Sequence, residues 1–474
     1  MTRPTLLILS QVYIPDPASV GQHIADAAAE MVRRGWRVKV LTSANGYNDP
    51  KIKYPPRQTI DGVEVVRLPL SSFGKRALPI RALAAILFML QTIWHGVFTR
   101  GLGGSGPAGH SGAILVSTSP PMCIVAALII RLARFGRVPI KFWVMDINPD
   151  QLISLGKIGA NSFPAKLMNF FNRRILAASS DVVVLDKFMA KTMNAKLECS
   201  EKMAILPPWP HEDSIEPVAH KDNPFREKHG LNGAPSSHTS DIRHPTSDIP
   251  KRVLMYSGNH GIALPLETFL KAAIRFKDDP RVAFLFIGDG VRKKEVEQTI
   301  REHSLTNMVS LPYQPMSQLR FSLSAADAHL VSVGNESVGT IHPCKIYGAM
   351  AVARPIVLLA PNPCHVSDLV SGERAGASRP GNSSASTNTP QPIGWHIPHG
   401  DIDRAEQVIR EIIEAPAEKL ATMGNRARHV IETQLSKSTL CGAFCDVLER
   451  GLTFHPVPRK AADARVKSIK SDAA

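Results

Sequence analysis

Residues 338–357, VGTIHPCKIYGAMAVARPIV, set a histidine, a proline, a cysteine and a lysine side by side ahead of an apolar, helical run. Backbone amides at a helix start carry the positive end of the helix dipole. An anion resting there gains hydrogen bonds and that field together. Pro343 suits the first turn of such a helix, where its missing N–H costs nothing. The amides of Gly339, Thr340, Ile341 and His342 are then expected to face out of the helix start. Lys345 adds a point charge and the His342 ring a further donor. The chemistry that fits is neutralisation of a diphosphate leaving group.

Two other loops carry compatible residues. SGNHG (257–261) and FIGDGVRKKEVE (286–297) each follow an apolar run, and loops at the carboxyl ends of parallel strands are where such sheets bind ligands. Gly258, Gly288 and Gly290 are expected to let a ligand approach the backbone, with Asn259 beside it. Arg292 and Lys293 offer charge, although a solvated helix face explains them as well. Near the amino terminus, IPDPASVGQ places Gly21 at a helix start, the same kind of anion seat or simply a turn glycine. The stretch is not GxGxxG, so a dinucleotide fingerprint is absent. There is no GxSxG and no HExxH. Asp401-Ile-Asp403 has a metal-binding spacing but precedes a helical run, where capping explains it. The six cysteines form no CxxC array, so no metal site is expected; Cys441 and Cys445, four apart, read as buried helix residues in a reducing compartment.

These residues need a scaffold, and apolar runs supply it. The segments 6–13, 36–43, 63–68, 113–119, 140–146 and 181–186 read as buried strands with helical stretches between them. The pattern repeats at 252–258, 282–288, 328–333, 355–360 and 393–398. The fold class is therefore α/β, with two Rossmann-like, doubly wound domains. The expected division is residues 1–205, 206–435, a final amphipathic helix at 436–452 that returns to the first domain, and a flexible basic tail at 453–474. The prolines of ILPPWPHEDSIEP mark the joint. The Ser/Gly/Pro-rich stretches 230–250 and 371–392 read as insertions.

Charge is unequally shared. Residues 1–205 hold 25 Lys/Arg against 12 Asp/Glu, a net +13 of the chain's +15. A basic first half is expected to meet an anionic surface. Nucleic acid is disfavoured, since no recognition helix or stacking platform accompanies the charge. An anionic membrane is the better partner. The most hydrophobic stretch, 82–98, is shorter than the roughly 20 residues needed to span a bilayer. It reads as a core or surface helix, or one lying in the membrane interface. TLLILSQVY at 5–13 is too short for a signal peptide and lacks a cleavage site.

Taken in order, the motifs resemble glycosyltransferase family 4, retaining enzymes of the GT-B fold, and most of all its bacterial exopolysaccharide and O-antigen branch of colanic-acid type. The likeness runs from the first strand to about residue 452 through SQVYIPDPASVGQHIADAAAEMVRRGWRVKVLTS, VSTSPPMCIVAA, VMDINPDQLISLG, YSGNHG, FIGDG and HPCKIYGAMAVARPIV. The resemblance implies two domains facing a cleft, with a nucleotide-diphosphate-sugar donor held by the second domain. The first domain would hold a lipid-linked or saccharide acceptor. No metal or other cofactor would be needed, and the enzyme would work in the cytoplasm at the inner face of the plasma membrane. Lys345, Asp146 and Glu336 would be the catalytic residues; Gly21, Gly258, Asn259, Gly288, Gly290, Arg292, Gly339, Thr340, Ile341 and His342 would bind donor with Lys345.

Departures stand beside the match. The family's E-x7-E pair would fall on Thr340 and Gly348, and Glu336 is off-register as a substitute for the first Glu. The usual phosphate-binding Arg and Lys after the first strand of the second domain fall on Asn259 and on no lysine before Lys271. A histidine common before Asp146 is Met145. A nucleotide-sugar 2-epimerase of the same fold and a degenerate scaffold are the alternative functions.

Overall fold

The computed structural model describes residues 4–452 apart from 17, 47–48, 72–77, 103–104, 107–108, 111, 119, 121–122, 212–214, 233–250 and 373–390. Most of both expected insertions, the tail 453–474 and part of the STSPPM segment lie outside the described residues. The chain divides into two compact units, Met1–Pro208 with Ser438–Ala474, and Trp209–Lys437.

In the first unit the strands are β1 (Thr5–Leu9), β2 (Arg37–Ser43), β3 (Arg57–Ile60), β4 (Val63–Leu68), a detached ribbon of β5 (Ser105–Gly106) and β6 (Gly109–His110), β7 (Gly112–Ser117), β8 (Ile140–Trp143), β9 (Asp181–Val184) and β10 (Met203–Ile205). The main sheet runs β10-β9-β8-β7-β1-β2-β4-β3, parallel except for β3. β1 and β7 are buried along their whole length, which is why they read as unbroken apolar runs. The helices are α1 (Ser19–Arg33), α2 (Leu78–Val97), α3 (Cys123–Ala133), α4 (Asp150–Ser154), α5 (Phe163–Ala178) and α6 (Lys187–Lys196).

Strand order reverses at β1, so right-handed crossovers put α1 on one face of the sheet and α2, α3 and α5 on the other. α3 packs between α2 and α5. The apolar stretch at 82–98 thus belongs to a surface helix. It buries Ala84, Phe88, Thr92 and Gly96 at four-residue spacing, and a side chain at Gly96 would strike Ile130 of α3. Among the described residues, no helix is long and apolar enough to cross a membrane.

The second unit holds β11 (Arg252–Ser257), β12 (Val282–Ile287), β13 (Met308–Leu311), β14 (Ala328–Ser332), β15 (Ile356–Leu359) and β16 (Gly394–Ile397), all parallel in the order β13-β12-β11-β14-β15-β16. Its helices are α7 (Pro224–Lys228), α8 (Glu267–Ile274), α9 (Lys293–His303), α10 (Leu319–Ser324), α11 (Lys345–Ala351), α12 (His365–Val370), α13 (Ile402–Glu414) and α14 (Ala417–Thr433). Asp401 caps α13 by accepting from the Arg404 amide at 2.9 Å, which accounts for the Asp-x-Asp spacing.

The last helix, α15 (Lys437–Glu449), packs on the first unit. Its Phe444 ring sits 4.7 Å from that of Trp143, and Glu449 accepts from the Trp36 indole and from Arg34. Just beyond it, the Arg450 carbonyl accepts from the buried Lys141 ammonium, which also pairs with Asp181 at 2.6 Å.

Candidate active site

In the second unit the ends of β11 and β12 and the start of α11 converge. The Gly258 amide donates to the Ile287 carbonyl, the His260 amide to that of Asp289, and the Arg292 amide to that of His260. Gly258, Gly288 and Gly290 all have φ between 127° and 139°, a region open to glycine. The space beside each is already taken. A side chain at Gly288 would lie 2.0 Å from the Gly258 carbonyl oxygen, and one at Gly290 would lie 2.6 Å from that of His260. At Gly258 it would meet Lys345 Cε at 3.1 Å. These glycines let the protein's own loops approach one another. That corrects their expected role as gaps left for a ligand.

Lys345 is the product of this packing. Its ammonium nitrogen lies 3.7 Å from the Tyr256 ring centre, donates to the Tyr256 hydroxyl, and donates to the Asn259 carbonyl at 2.5 Å. Tyr256 in turn donates to the same carbonyl at 2.9 Å. Burial holds the Lys345 pKa well below the ordinary lysine value. Under the same loops, His260 is fully buried against Tyr256. Burial first, and the Lys345 charge second, lower its pKa to about 4, so the ring is neutral. Lys293 reaches back to the Gly288 carbonyl at 3.1 Å. The arrangement is a lysine amine and a neutral imidazole under tightly packed backbone, at the end of a parallel sheet where ligands bind.

Other expected site residues are placed differently. α11 begins at Lys345, so Pro343 precedes the helix and is not in its first turn. The Thr340 and Ile341 amides both donate to the Ser337 carbonyl, so they are not free to meet an anion. Gly339 turns the chain there at φ 71°. The His342 ring bonds the Tyr347 hydroxyl at 2.7 Å and packs against His365. Glu336 is exposed in a single 3-10 turn, Asn335–Ser337. Arg292 spends its guanidinium on Glu295, at 2.9 Å and 3.0 Å, and on the Ile262 carbonyl. It is a paired helix-start residue, and Lys293 is the one that enters the loop. Thr340 is buried with its hydroxyl on Ser337, and Gly348 is buried within α11. Neither position offers an acid.

In the first unit, Gly21 sits in the opening turn of α1 with its amide donating to the Ala18 carbonyl at 2.9 Å. A side chain there would meet the Tyr13 backbone at 3.1 Å, so this glycine too serves close packing. Asp146 follows β8 at the mouth of a narrow, mostly apolar crevice lined by Ile124, Phe142, Val144, Met168 and Phe171. The Thr118 hydroxyl accepts from the Met145 and Asp146 amides at 3.1 Å and fixes the turn. Burial raises the Asp146 pKa to about 6.

Tyr256 and His260 were not among the residues singled out in the sequence. Tyr256 looks like any buried strand residue, and its hydroxyl acquires meaning only once Lys345 arrives from 89 positions away. His260 stood inside the quoted SGNHG, where a histidine among glycines was the available signal.

Comparison with known proteins agrees with this architecture. Residues 19–209 match the family described as the glycosyl transferase 4-like domain. WbjE of Pseudomonas aeruginosa, named as a glycosyltransferase, is 24% identical over 68% of this chain and 71% of its own. WcaI of Escherichia coli (strain K12), named for colanic acid biosynthesis glycosyl transfer, is 23% identical over 75% of this chain and 83% of its own. Over these stretches the chain is similar to family 4 glycosyltransferases. The chain also shares its fold with the Anabaena protein Alr3699/HepE, solved in complex with UDP and glucose: TM-score 0.63, 14% identity, 94% of this chain and all of that one. Its two parallel-sheet units are those of the GT-B fold.

Proposed function

We propose that the protein moves a sugar from a nucleotide-diphosphate donor to a lipid-linked saccharide at the inner face of the plasma membrane, in bacterial cell-surface polysaccharide synthesis. The name of WcaI supports the pathway class, the name of WbjE supports glycosyl transfer, and the UDP and glucose of the HepE complex support the donor class. The observation that carries the reading is Lys345, a half-buried amine at the start of α11 held by Tyr256 and the Asn259 carbonyl at the carboxyl edge of the second sheet.

Lys345 supplies positive charge where the donor's diphosphate leaves, strongest as the sugar–oxygen bond breaks. This charge takes the place of a metal. Retention follows if the acceptor hydroxyl attacks from the leaving-group side and passes its proton to the departing phosphate oxygen. Asp146, ionised above about pH 6 beside an apolar crevice, holds the acceptor in the first unit.

The test is release of free nucleoside diphosphate from a panel of nucleotide sugars, with and without a detergent-solubilised polyprenyl-diphosphate saccharide. Acceptor-dependent release that survives EDTA, with the donor's anomeric configuration kept in the product, is expected. Inversion or EDTA inactivation overturns the mechanism. An epimerised sugar formed without acceptor points to a 2-epimerase. No binding of any donor points to a scaffold.

A further inference from the structure

The helix layer α2–α3–α5 has an outer face that its own unit leaves uncovered. Of the eighteen large apolar side chains exposed among the described residues, twelve lie on these three helices or directly after them. The most exposed are Phe135 at 87%, Leu132 at 77% and Phe163 at 76%. On α2 the exposed residues Leu83, Ile86, Leu90 and Trp94 run down one side, and the Trp94 ring packs at a tilt against Phe98 with ring centres 4.8 Å apart. Soluble monomers rarely gather so many exposed apolar side chains in one place.

Charge narrows the choice of partner. No Asp or Glu occurs between Glu64 and Asp146, a span holding nine Lys/Arg, and α5 has none either. Arg100, Arg137, Lys166, Arg173 and Arg174 are exposed around the apolar residues. A second copy of the chain would bring two like-charged faces together. Greasy side chains ringed by long basic ones, with an aromatic pair at their margin, match the boundary between acyl chains and anionic headgroups.

Phe135 sharpens the case. It ends α3 in a left-handed conformation, φ 55°, which asparagine or glycine would occupy more easily. A bulky aromatic group held there, pointing into solvent, stabilises nothing in the described fold.

We propose that the outer face of α2, α3 and α5 docks on an anionic bilayer, with Leu132 and Phe135 at the end of α3 and Phe163 on α5 entering the acyl region. The proposal rests on the reading that the acceptor is lipid-linked, and it gives that reading a geometry. α5 carries Phe163 and Phe170 on its exposed side, and Met168 and Phe171 on the wall of the Asp146 crevice. One helix therefore reaches from the proposed docking face to the Asp146 crevice.

The test is flotation of the full chain with phosphatidylcholine vesicles, with and without about a third phosphatidylglycerol. Wild type should float with the anionic vesicles, less so in high salt, and Trp94 fluorescence should shift to the blue. L132S/F135N should float at least tenfold less while melting no lower than wild type, because asparagine suits the backbone at 135. Equal flotation of variant and wild type overturns the proposal. So does a concentration-dependent dimer, abolished by the same variant, with no vesicle binding. Absent flotation with intact turnover on a detergent-solubilised acceptor removes the docking face alone; flotation without turnover removes the functional reading and leaves the face standing.

Discussion

Lys345 and Tyr256 hold each other: the ammonium sits 3.7 Å from the ring centre and donates to the hydroxyl on its edge. The pair joins β11 to the start of α11, so the charge is placed by sheet and helix together.

Removing that charge should be costly. Lys345→Ala is expected to lose roughly 2–4 kcal/mol of transition-state stabilisation, the scale of one charge-stabilising donor. Steady-state turnover checks it; a rate within threefold of wild type rules out a role for Lys345 at the diphosphate.

Donor binding should take up protons. Lys345 sits well below its ordinary value of 10.5, and a bound diphosphate raises it again. Between those two values the free protein lacks a proton that the complex holds. Calorimetric titration with UDP at a series of pH values below 10.5, in buffers of different ionisation enthalpy, should show uptake that Lys345→Met abolishes.

Asp146 should cost stability at neutral pH. Its folded value, about 6, lies above the ordinary 3.8, so the folded state keeps a proton that the unfolded chain gives up. Wild type should therefore lose stability as pH rises through that window, by about 2–3 kcal/mol at most. Asp146→Asn should melt higher than wild type at pH 7.5, show no such loss, and turn over more slowly.

Two glycines with positive φ should respond differently. Gly288→Ala forces a carbon to within 2.0 Å of the Gly258 carbonyl, whereas a side chain at Gly400 (φ 84°) meets nothing within 4 Å. Gly400→Ala should cost about 1 kcal/mol and Gly288→Ala several times that, as read in thermal melts.

Breaking the buried pair of the first unit should be severe. Lys141→Ala leaves Asp181 buried beside only the marginal Arg450 charge, 3.4 Å away, and should cost about 3–5 kcal/mol. Urea denaturation checks this.

Much of the scaffold was legible because strands buried on both faces have no polar half. VEVVRL at 63–68 and IDRAEQVIREIIE at 402–414 match their elements end to end. Short elements without such a run, β3 and β13 among them, escaped notice, as did α14, whose apolar residues are sparse. The site was legible as residue types but not as roles. Lys345 and the three glycines are where the loops meet, yet a glycine's purpose depends on which atom lies beside it, and at Gly288 that atom belongs to Gly258. Arg292 and Lys293 are adjacent and equally charged. Only Glu295, one helical turn away, decides which of them is spent.

Since α15 follows the whole second unit in the chain but packs beside Trp36 and Trp143, the ribosome completes the second unit before the first can close. The nascent protein carries an open wound along one side of its earliest-made sheet. A growing chain in which Lys141 still awaits the Arg450 carbonyl needs shelter until that residue emerges.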